Sequence, residues 1–226
     1  MNVSHHPQRR RAIMMLVLAT LYWGISFPVI KALQELNHNL LPGGSAAFLD
    51  AQTVAPRFAL GFLLVLLFNW RQGMPRRAEF IQGFQIGAFA AVGSLLQSDG
   101  LRFTSASSSA FLTQMSAVLI PAFLAIRHRR SPRLAVWLAC ALVLAGAGIL
   151  GHVSWQQLRL GRGEWETLWA SAFYAGQILS LENPRYISNR AGMVTLSMFG
   201  VEAVLFLGMA GATAPGAGAL LLPWTS

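Results

Sequence analysis

Seven apolar stretches of this chain are each long enough to cross a bilayer, and short connections separate them. A membrane-spanning helix needs roughly 20 mostly apolar residues to cover about 30 Å of hydrocarbon. Hydrophobic residues make up 54% of the chain and charged residues only 11%, which would be unusual in a soluble domain. The sequence therefore predicts an all-α polytopic membrane protein with seven spans: Ala12–Gln34, Thr53–Trp70, Phe80–Gln97, Ser105–Ile126, Leu134–Gly151, Glu164–Leu181 and Ala191–Thr213.

The connections between these stretches alternate between arginine-rich and arginine-poor. Twelve of the seventeen basic residues precede span one or follow spans two, four and six. The others are Lys31 and Arg57 inside spans, and Arg102, Arg159 and Arg162 on the opposite side. Because basic connections are retained in the cytoplasm, this bias predicts a multi-pass protein of a bacterial cytoplasmic (inner) membrane with a cytoplasmic N-terminal tail, residues 1–11.

The net charge of +9 does not indicate a nucleic-acid partner, because the basic residues are distributed over alternate connections between the spans. Catalytic signatures are also missing from the sequence: we find no glycine-rich phosphate loop after a strand and no nucleophile with a histidine and a carboxylate nearby. Cys140 is the only cysteine and lies within an apolar stretch, which excludes an internal disulfide and a cysteine metal cluster. We expect neither an enzyme nor a bound cofactor or metal.

Two segments of similar character, Ala19–Gly24 and Ala170–Ala175, suggest an internal repeat. Five spans separate the two copies, and an odd number of crossings makes the second copy enter the membrane from the opposite face. Such inverted repeats are typical of secondary transporters, whose substrate sites lie near the midplane. We predict a complete first five-helix unit over residues 12–152 and a partial second unit of two helices over 163–226, in a fragment or a naturally truncated product.

An ordered set of short motifs runs through most of the chain: Tyr22–Pro28, Arg57–Phe58, Gln97–Ser107, Phe111–Leu112, Pro121 and Gly161–Gln177. Together these residues resemble the EamA-type branch of the drug/metabolite transporter superfamily. The resemblance implies ten helices in two inverted five-helix repeats, with both termini in the cytoplasm. It also implies export of amino acids or related small metabolites.

Polar and aromatic residues inside or at the ends of the spans are candidates for a substrate cavity. They are Trp23, Arg57, Gln97, Ser105, Ser108, Gln114, Tyr174, Gln177 and Glu202. A charged residue within a span is costly and usually faces a polar interior. Arg57 and Glu202 occupy equivalent positions if the first loop is longer than its counterpart, so we predict that they pair or share the cavity.

Each candidate also has a simpler structural interpretation. Arg57 could snorkel to the interface, the aromatic residues could belong to a headgroup belt, and the serines could cap the fourth span. Structural hydrogen bonds between helices would account for the glutamines equally well. For Lys31 we expect snorkelling, and for Asp99 and Arg102 a local ion pair at the interface.

Two further features concern packing rather than a site. Gly83, Gly87 and Ala91 are spaced four apart on span three, which predicts close contact with another helix. Pro28 and Pro121 lie inside spans, where each removes a backbone donor and predicts a kink or hinge.

The leading functional hypothesis is a secondary active exporter of small metabolites that works by alternating access. Its partners would be a small-molecule substrate, a coupling proton or ion, and the lipid bilayer. The alternative is a truncated, non-transporting membrane scaffold or remnant subunit. The sequence leaves the substrate and the oligomeric state open, a homodimer included.

Overall fold

The protein is described by a computed structural model that covers residues 6–41, 43–150 and 161–220. Over these residues it forms eight α-helices and three short 3-10 turns, and this part of the chain contains no strand. The helices are α1 His6–Leu40, α2 Ala46–Asn69, α3 Arg77–Phe103, α4 Ala106–Thr113, α5 Ser116–His128, α6 Leu134–Leu150, α7 Arg162–Leu181 and α8 Ala191–Thr213. The predicted all-α polytopic membrane fold is confirmed.

Within the described residues, five stretches are long and apolar enough to cross a membrane: Arg10–Leu40, Ala46–Gln72, Arg77–Phe103, Ala106–His128 and Ala191–Thr213. Helix α6 is a shorter apolar helix. Helix α7 has the length of a span, but Arg162, Glu164 and Glu166 in its first turns make it more polar. Its buried residues are small or uncharged, among them Gly163, Thr167 and Ser171, and the helix packs mainly against α3.

Several sequence-based predictions lie outside the described residues. They are the end of span five at Gly151, the unit boundary at residue 152, Arg159, and the tail from Leu221. The inverted relation between the two units stays a prediction.

The fourth predicted span consists of two helices, because the chain leaves the α-helix at Gln114 and Met115 between α4 and α5. This break in the span precedes Pro121, and α5 continues through that proline, so the kink or hinge expected there stays a prediction. Pro121 has no N–H to donate to the carbonyl of Ala117. The thiol of Cys140 on α6 donates to that carbonyl at 3.4 Å, which compensates for the missing backbone hydrogen bond.

Helix α3 is the centre of the fold, packed against α7 and α8, while α2 packs on the other side of α8. A core cluster joins α2, α3 and α8 through Val54, Phe58, Ala91 and Phe206, and the rings of Phe58 and Phe206 stack at 5.4 Å. Helix α1 contacts the other helices mainly through its second half, and the rest of this helix is exposed. The four helices α2, α3, α7 and α8 thus form the packed frame that positions the interior polar residues.

Glycines allow α3 to approach both of its partners at backbone distance. A Cβ atom placed on Gly83 would lie 2.7 Å from the carbonyl oxygen of Val194, and one on Gly87 would lie 2.9 Å from that of Met198. Close helix packing at these two positions, predicted from their spacing, is confirmed. Farther along α3, a Cβ on Gly100 would lie 2.8 Å from the carbonyl oxygen of Gly163 on α7.

Candidate functional site

The buried amide of Gln97 joins three helices in the interior. Its Nε2 donates to the hydroxyl of Thr113 on α4 at 2.9 Å, and its Oε1 accepts from the hydroxyl of Tyr174 on α7 at 3.0 Å. All three side chains are buried. An unsatisfied amide would be costly in an apolar interior, and here both ends of the amide have partners. Of the nine candidates, Gln97 and Tyr174 are therefore directly connected.

Tyr174 is held between α3 and α1. Its hydroxyl lies 3.4 Å from that of Ser94, and its ring packs against Gly93, where a Cβ would lie 2.9 Å from Cε1. The edge of the Trp23 ring meets the Tyr174 ring at a centroid distance of 6.4 Å and an angle of 86°. Such edge-to-face geometry is favoured by the quadrupoles of the two rings. Trp23 is 49% exposed, so it touches the interior site from one side and the surroundings from the other.

Arg57 and Glu202 lie close enough to interact electrostatically with each other and with Tyr174. They do not form an ion pair: within the described part of the chain, no nitrogen of Arg57 lies within 4.0 Å of a carboxylate oxygen. The Arg57 guanidinium instead lies 4.8 Å from the centroid of the Phe58 ring. Glu202 is only 1% exposed, and its Oε2 has no hydrogen-bond partner among the residues that the structure describes.

Arg57 lines two adjoining cavities. One, of about 270 Å³, lies between α1 and α2 and is bordered by Asn37 and Thr53, which hydrogen bond to each other at 2.9 Å. The other, of about 10 Å³, lies against α3 and is bordered by Ser94 and Gln97. Arg57 therefore connects the polar face of α3 with the larger cavity.

The remaining candidates lie elsewhere. Ser105 is the N-cap of α4 and accepts from the backbone N–H of Ser108 at 3.0 Å, so capping accounts for this pair of serines. Gln114 is exposed at the junction of α4 and α5. Gln177 is half-buried on α7, one turn beyond Tyr174. The structure thus brings together Trp23, Arg57, Gln97, Tyr174 and Glu202, which we call the central cluster, and the transport roles of all nine residues stay predictions.

A second polar network, not anticipated from the sequence, lies at the arginine-poor end of the helices. The Nε2 of Gln34 donates to Asp50 Oδ1 at 3.2 Å and to the carbonyl oxygen of Ser98 at 2.8 Å. Ser98 also donates to Asp50 at 3.2 Å, and Arg102 lies 3.7 Å from the other Asp50 oxygen. Hydrophilic residues buried at the ends of three apolar stretches were the only signal for this network.

Polar contacts at the same arginine-poor end also connect α3 with α7. Arg102 and Asp99 form the predicted ion pair at 3.7 Å, and Asp99 also pairs with Arg162 at the start of α7. Beside them the Thr104 hydroxyl donates to Glu164 at 2.6 Å. These contacts connect the C-terminal end of α3 with the N-terminal end of α7.

The ammonium group of Lys31 reaches the C-terminal end of α3, and its snorkelling to the interface stays a prediction. Its Nζ donates to the carbonyl oxygens of Leu101 at 3.2 Å and Thr104 at 2.6 Å. Cations are favourable at helix C-termini, where backbone carbonyls have no helical partner. The second half of α1 therefore lies against the end of α3, where the ammonium group finds acceptors within the protein.

At the arginine-rich end, Glu79 and Arg190 clamp α3 to α8. Arg190 Nε and Nη2 each lie 2.8 Å from a different oxygen of Glu79, and Arg190 Nη1 donates to the carbonyl oxygen of Gln72 at 2.7 Å. The hydrogen bond to Glu79 raises the pKa of the Arg190 guanidinium above its ordinary value. In the sequence, Arg190 stands out only as one of the basic residues of the arginine-rich connections. The central cluster therefore lies between two polar networks at opposite ends of α3.

Among the described residues there is no group of three or more histidine, cysteine, aspartate or glutamate side chains that could hold a metal ion. The side chains that converge in the interior are an amide, a phenol, an indole, a guanidinium and a carboxylate. Such a set can bind a small molecule that carries both hydrogen-bonding groups and charge.

Comparisons with known proteins identify a family for the chain. The EamA-like transporter family matches residues 10–151 of the chain. A protein of Archaeoglobus fulgidus described as an uncharacterized transporter is 34% identical over 107 residues. The aligned segment covers 47% of this chain and 29% of that relative, so the chain spans less than a third of its relative's length. No solved structure matches.

Proposed function

The chain belongs to the EamA-like transporter family, and we propose that it acts as a secondary active exporter of small metabolites such as amino acids. The observation that carries this proposal is the central cluster, in which Gln97 of the first unit is hydrogen-bonded to Tyr174 of the second. Polar and ionisable groups inside membrane spans are expensive and are commonly functional. In secondary transporters the substrate site lies where two structural units meet near the midplane.

The two charges of the central cluster suit an amphoteric substrate. Glu202 is buried with an unpartnered oxygen, and such a group gains most from a new donor. Arg57 has no carboxylate partner in the described part of the chain and lines a cavity of about 270 Å³. A guanidinium can bind a carboxylate in a bidentate manner. An amino acid would offer its ammonium group to Glu202 and its carboxylate to Arg57.

The two end networks supply the closures that alternating access requires. Asp99 and Arg162 connect α3 with α7 at one end, while Glu79 and Arg190 connect α3 with α8 at the other. Contacts of this kind can separate where water replaces the lost hydrogen bonds. Export would be driven by a gradient of a proton, an ion or a counter-substrate. It would carry the substrate outward across the inner membrane, with the N-terminus of the protein in the cytoplasm.

Counterflow in proteoliposomes tests this function. We expect the purified chain to exchange at least one of a panel of labelled L-amino acids. Tyr174→Phe removes the hydroxyl that bonds Gln97, and the loss of one buried hydrogen bond should slow exchange about tenfold. Tyr22→Phe is the matched control, because Tyr22 is 75% exposed on α1 and should exchange at the rate of the unmodified chain.

Two outcomes would contradict the proposal. If liposomes with correctly folded protein exchanged none of the amino acids, the non-transporting scaffold would be the better account. If Tyr174→Phe and Tyr22→Phe slowed exchange equally, the central cluster would not be the transport site.

A further inference from the structure

A groove that the central cluster does not use lies between α5 and α7 toward the arginine-rich end. Its volume is about 580 Å³, and Phe89 of α3 forms part of its wall. The lining is mainly apolar, with Leu119 and Phe123 on one side and Leu179 on the other. Phe123 is 47% exposed, so the groove is open to the surroundings of the protein. In a membrane protein, lipid acyl chains are the apolar groups available to fill this groove.

The mouth of this groove is positively charged. Arg127 lines it at the end of α5, and the polar residues Ser180 and Asn183 line it at the end of α7. Arg129, Arg130 and Arg133 follow in the next connection. Within the described residues, none of these four arginines has a carboxylate within 4.0 Å. By contrast, Arg162 and Arg190 are paired with acidic side chains.

The backbone keeps this basic run next to the groove. Arg129 adopts a left-handed conformation with φ of 51°, which ends α5. The N–H groups of Arg129 and Arg130 then bond back to the carbonyl oxygens of Ile126 and Ala125. The chain therefore turns back at Arg129. Arg129 and Arg130 thus stay near Arg127, which lies at the end of the apolar groove.

From this charge and shape we propose that the groove binds one anionic phospholipid of the arginine-rich leaflet, with an acyl chain along α5 and α7 and the phosphate at Arg127. Basic pockets between membrane helices on the cytoplasmic side suit anionic headgroups. A purely apolar occupant would leave Arg127, at the mouth of the groove, without an anionic partner. A soluble anion would leave the apolar groove unfilled.

Native mass spectrometry of the purified full chain, titrated with dioleoylphosphatidylglycerol or dioleoylphosphatidylcholine, tests the proposal. We expect one phosphatidylglycerol molecule to bind more tightly than phosphatidylcholine. Arg127→Gln should weaken phosphatidylglycerol binding about fivefold and leave phosphatidylcholine binding unchanged. Ala122→Trp, which fills the groove without changing charge, should weaken both lipids.

Two matched variants serve as controls. Arg71→Gln removes an arginine at the end of α2, which does not line the groove, and Ala139→Trp adds a bulky side chain to an exposed position of α6. Both should bind phosphatidylglycerol as the unmodified chain does. Equal affinity for the two lipids, equal weakening by Arg127→Gln and Arg71→Gln, or displacement of the lipid by inorganic phosphate would each overturn the proposal. None of these measurements depends on transport.

Discussion

Replacing Glu79 with alanine is expected to lower the free energy of unfolding by about 1–3 kcal/mol, the usual cost of leaving hydrogen-bonding groups without their partner. Glu79 is 1% exposed, and its two oxygens bind the guanidinium of Arg190 at 2.8 Å. The same carboxylate accepts the backbone N–H of Arg76 at 2.7 Å and that of Arg190 at 3.2 Å. One side chain thus completes the N-terminal ends of both α3 and α8.

The measurement is unfolding in mild detergent, followed by tryptophan fluorescence as SDS is added. Glu182→Ala is the matched control, because Glu182 is exposed at the end of α7 and should change the stability little. Glu79→Gln should fall between the two, since an amide keeps the shape and part of the hydrogen bonding but loses the charge. A loss no larger than that of Glu182→Ala would show that the clamp between α3 and α8 does not stabilise the fold.

Substituting valine for Gly100 is expected to separate α3 from α7 and to prevent normal folding. A Cβ on Gly100 would lie 2.8 Å from the carbonyl oxygen of Gly163, and one on Gly163 would lie 2.6 Å from the carbonyl oxygen of Gly100. Backbone atoms cannot move aside as the end of a flexible side chain can. Overpacking typically costs about 1–3 kcal/mol, and here the neighbouring contacts of Asp99 and Thr104 with α7 would be strained as well.

Gly208→Val provides the comparison, because a Cβ at Gly208 on α8 would have no atom within 4 Å. We expect the Gly208 variant to elute as a single peak in detergent with nearly unchanged stability. The Gly100 variant should be obtained in much lower yield and unfold at a lower SDS concentration. If the two variants behaved alike, the close approach of α3 and α7 would not exist.

The sequence identified the helices, their order and the alternation of the connections, because long apolar stretches leave few alternatives in a membrane. It also identified the packing role of Gly83 and Gly87 from their spacing. Gly100 and Gly163 escaped notice, since neither has another glycine four residues away along its helix. A contact between single glycines depends on how two helices cross, and a one-dimensional pattern does not contain that information.

The polar residues also fall into two groups, those that could be predicted from the sequence and those that could not. Gln97, Tyr174 and Glu202 could be selected because polar groups stand out within apolar stretches. The Asp50 network and the Glu79 clamp could not, because both lie near helix ends, where charged residues are ordinarily solvated. Lys31 shows why: its ammonium group looked free to reach water, yet the fold places the carbonyl oxygens of Leu101 and Thr104 against it.

The direction of export and the proposed lipid site both depend on one claim, that the arginine-rich connections lie in the cytoplasm. Single cysteines introduced into a Cys140→Ala background test it in intact cells with a membrane-impermeant maleimide. Ser131 and Ser107 are both exposed and lie at opposite ends of the fourth span. We expect Ser107→Cys to be labelled from outside and Ser131→Cys to react only after the membrane is permeabilised. Labelling of Ser131→Cys in intact cells, with Ser107→Cys protected, would contradict the account.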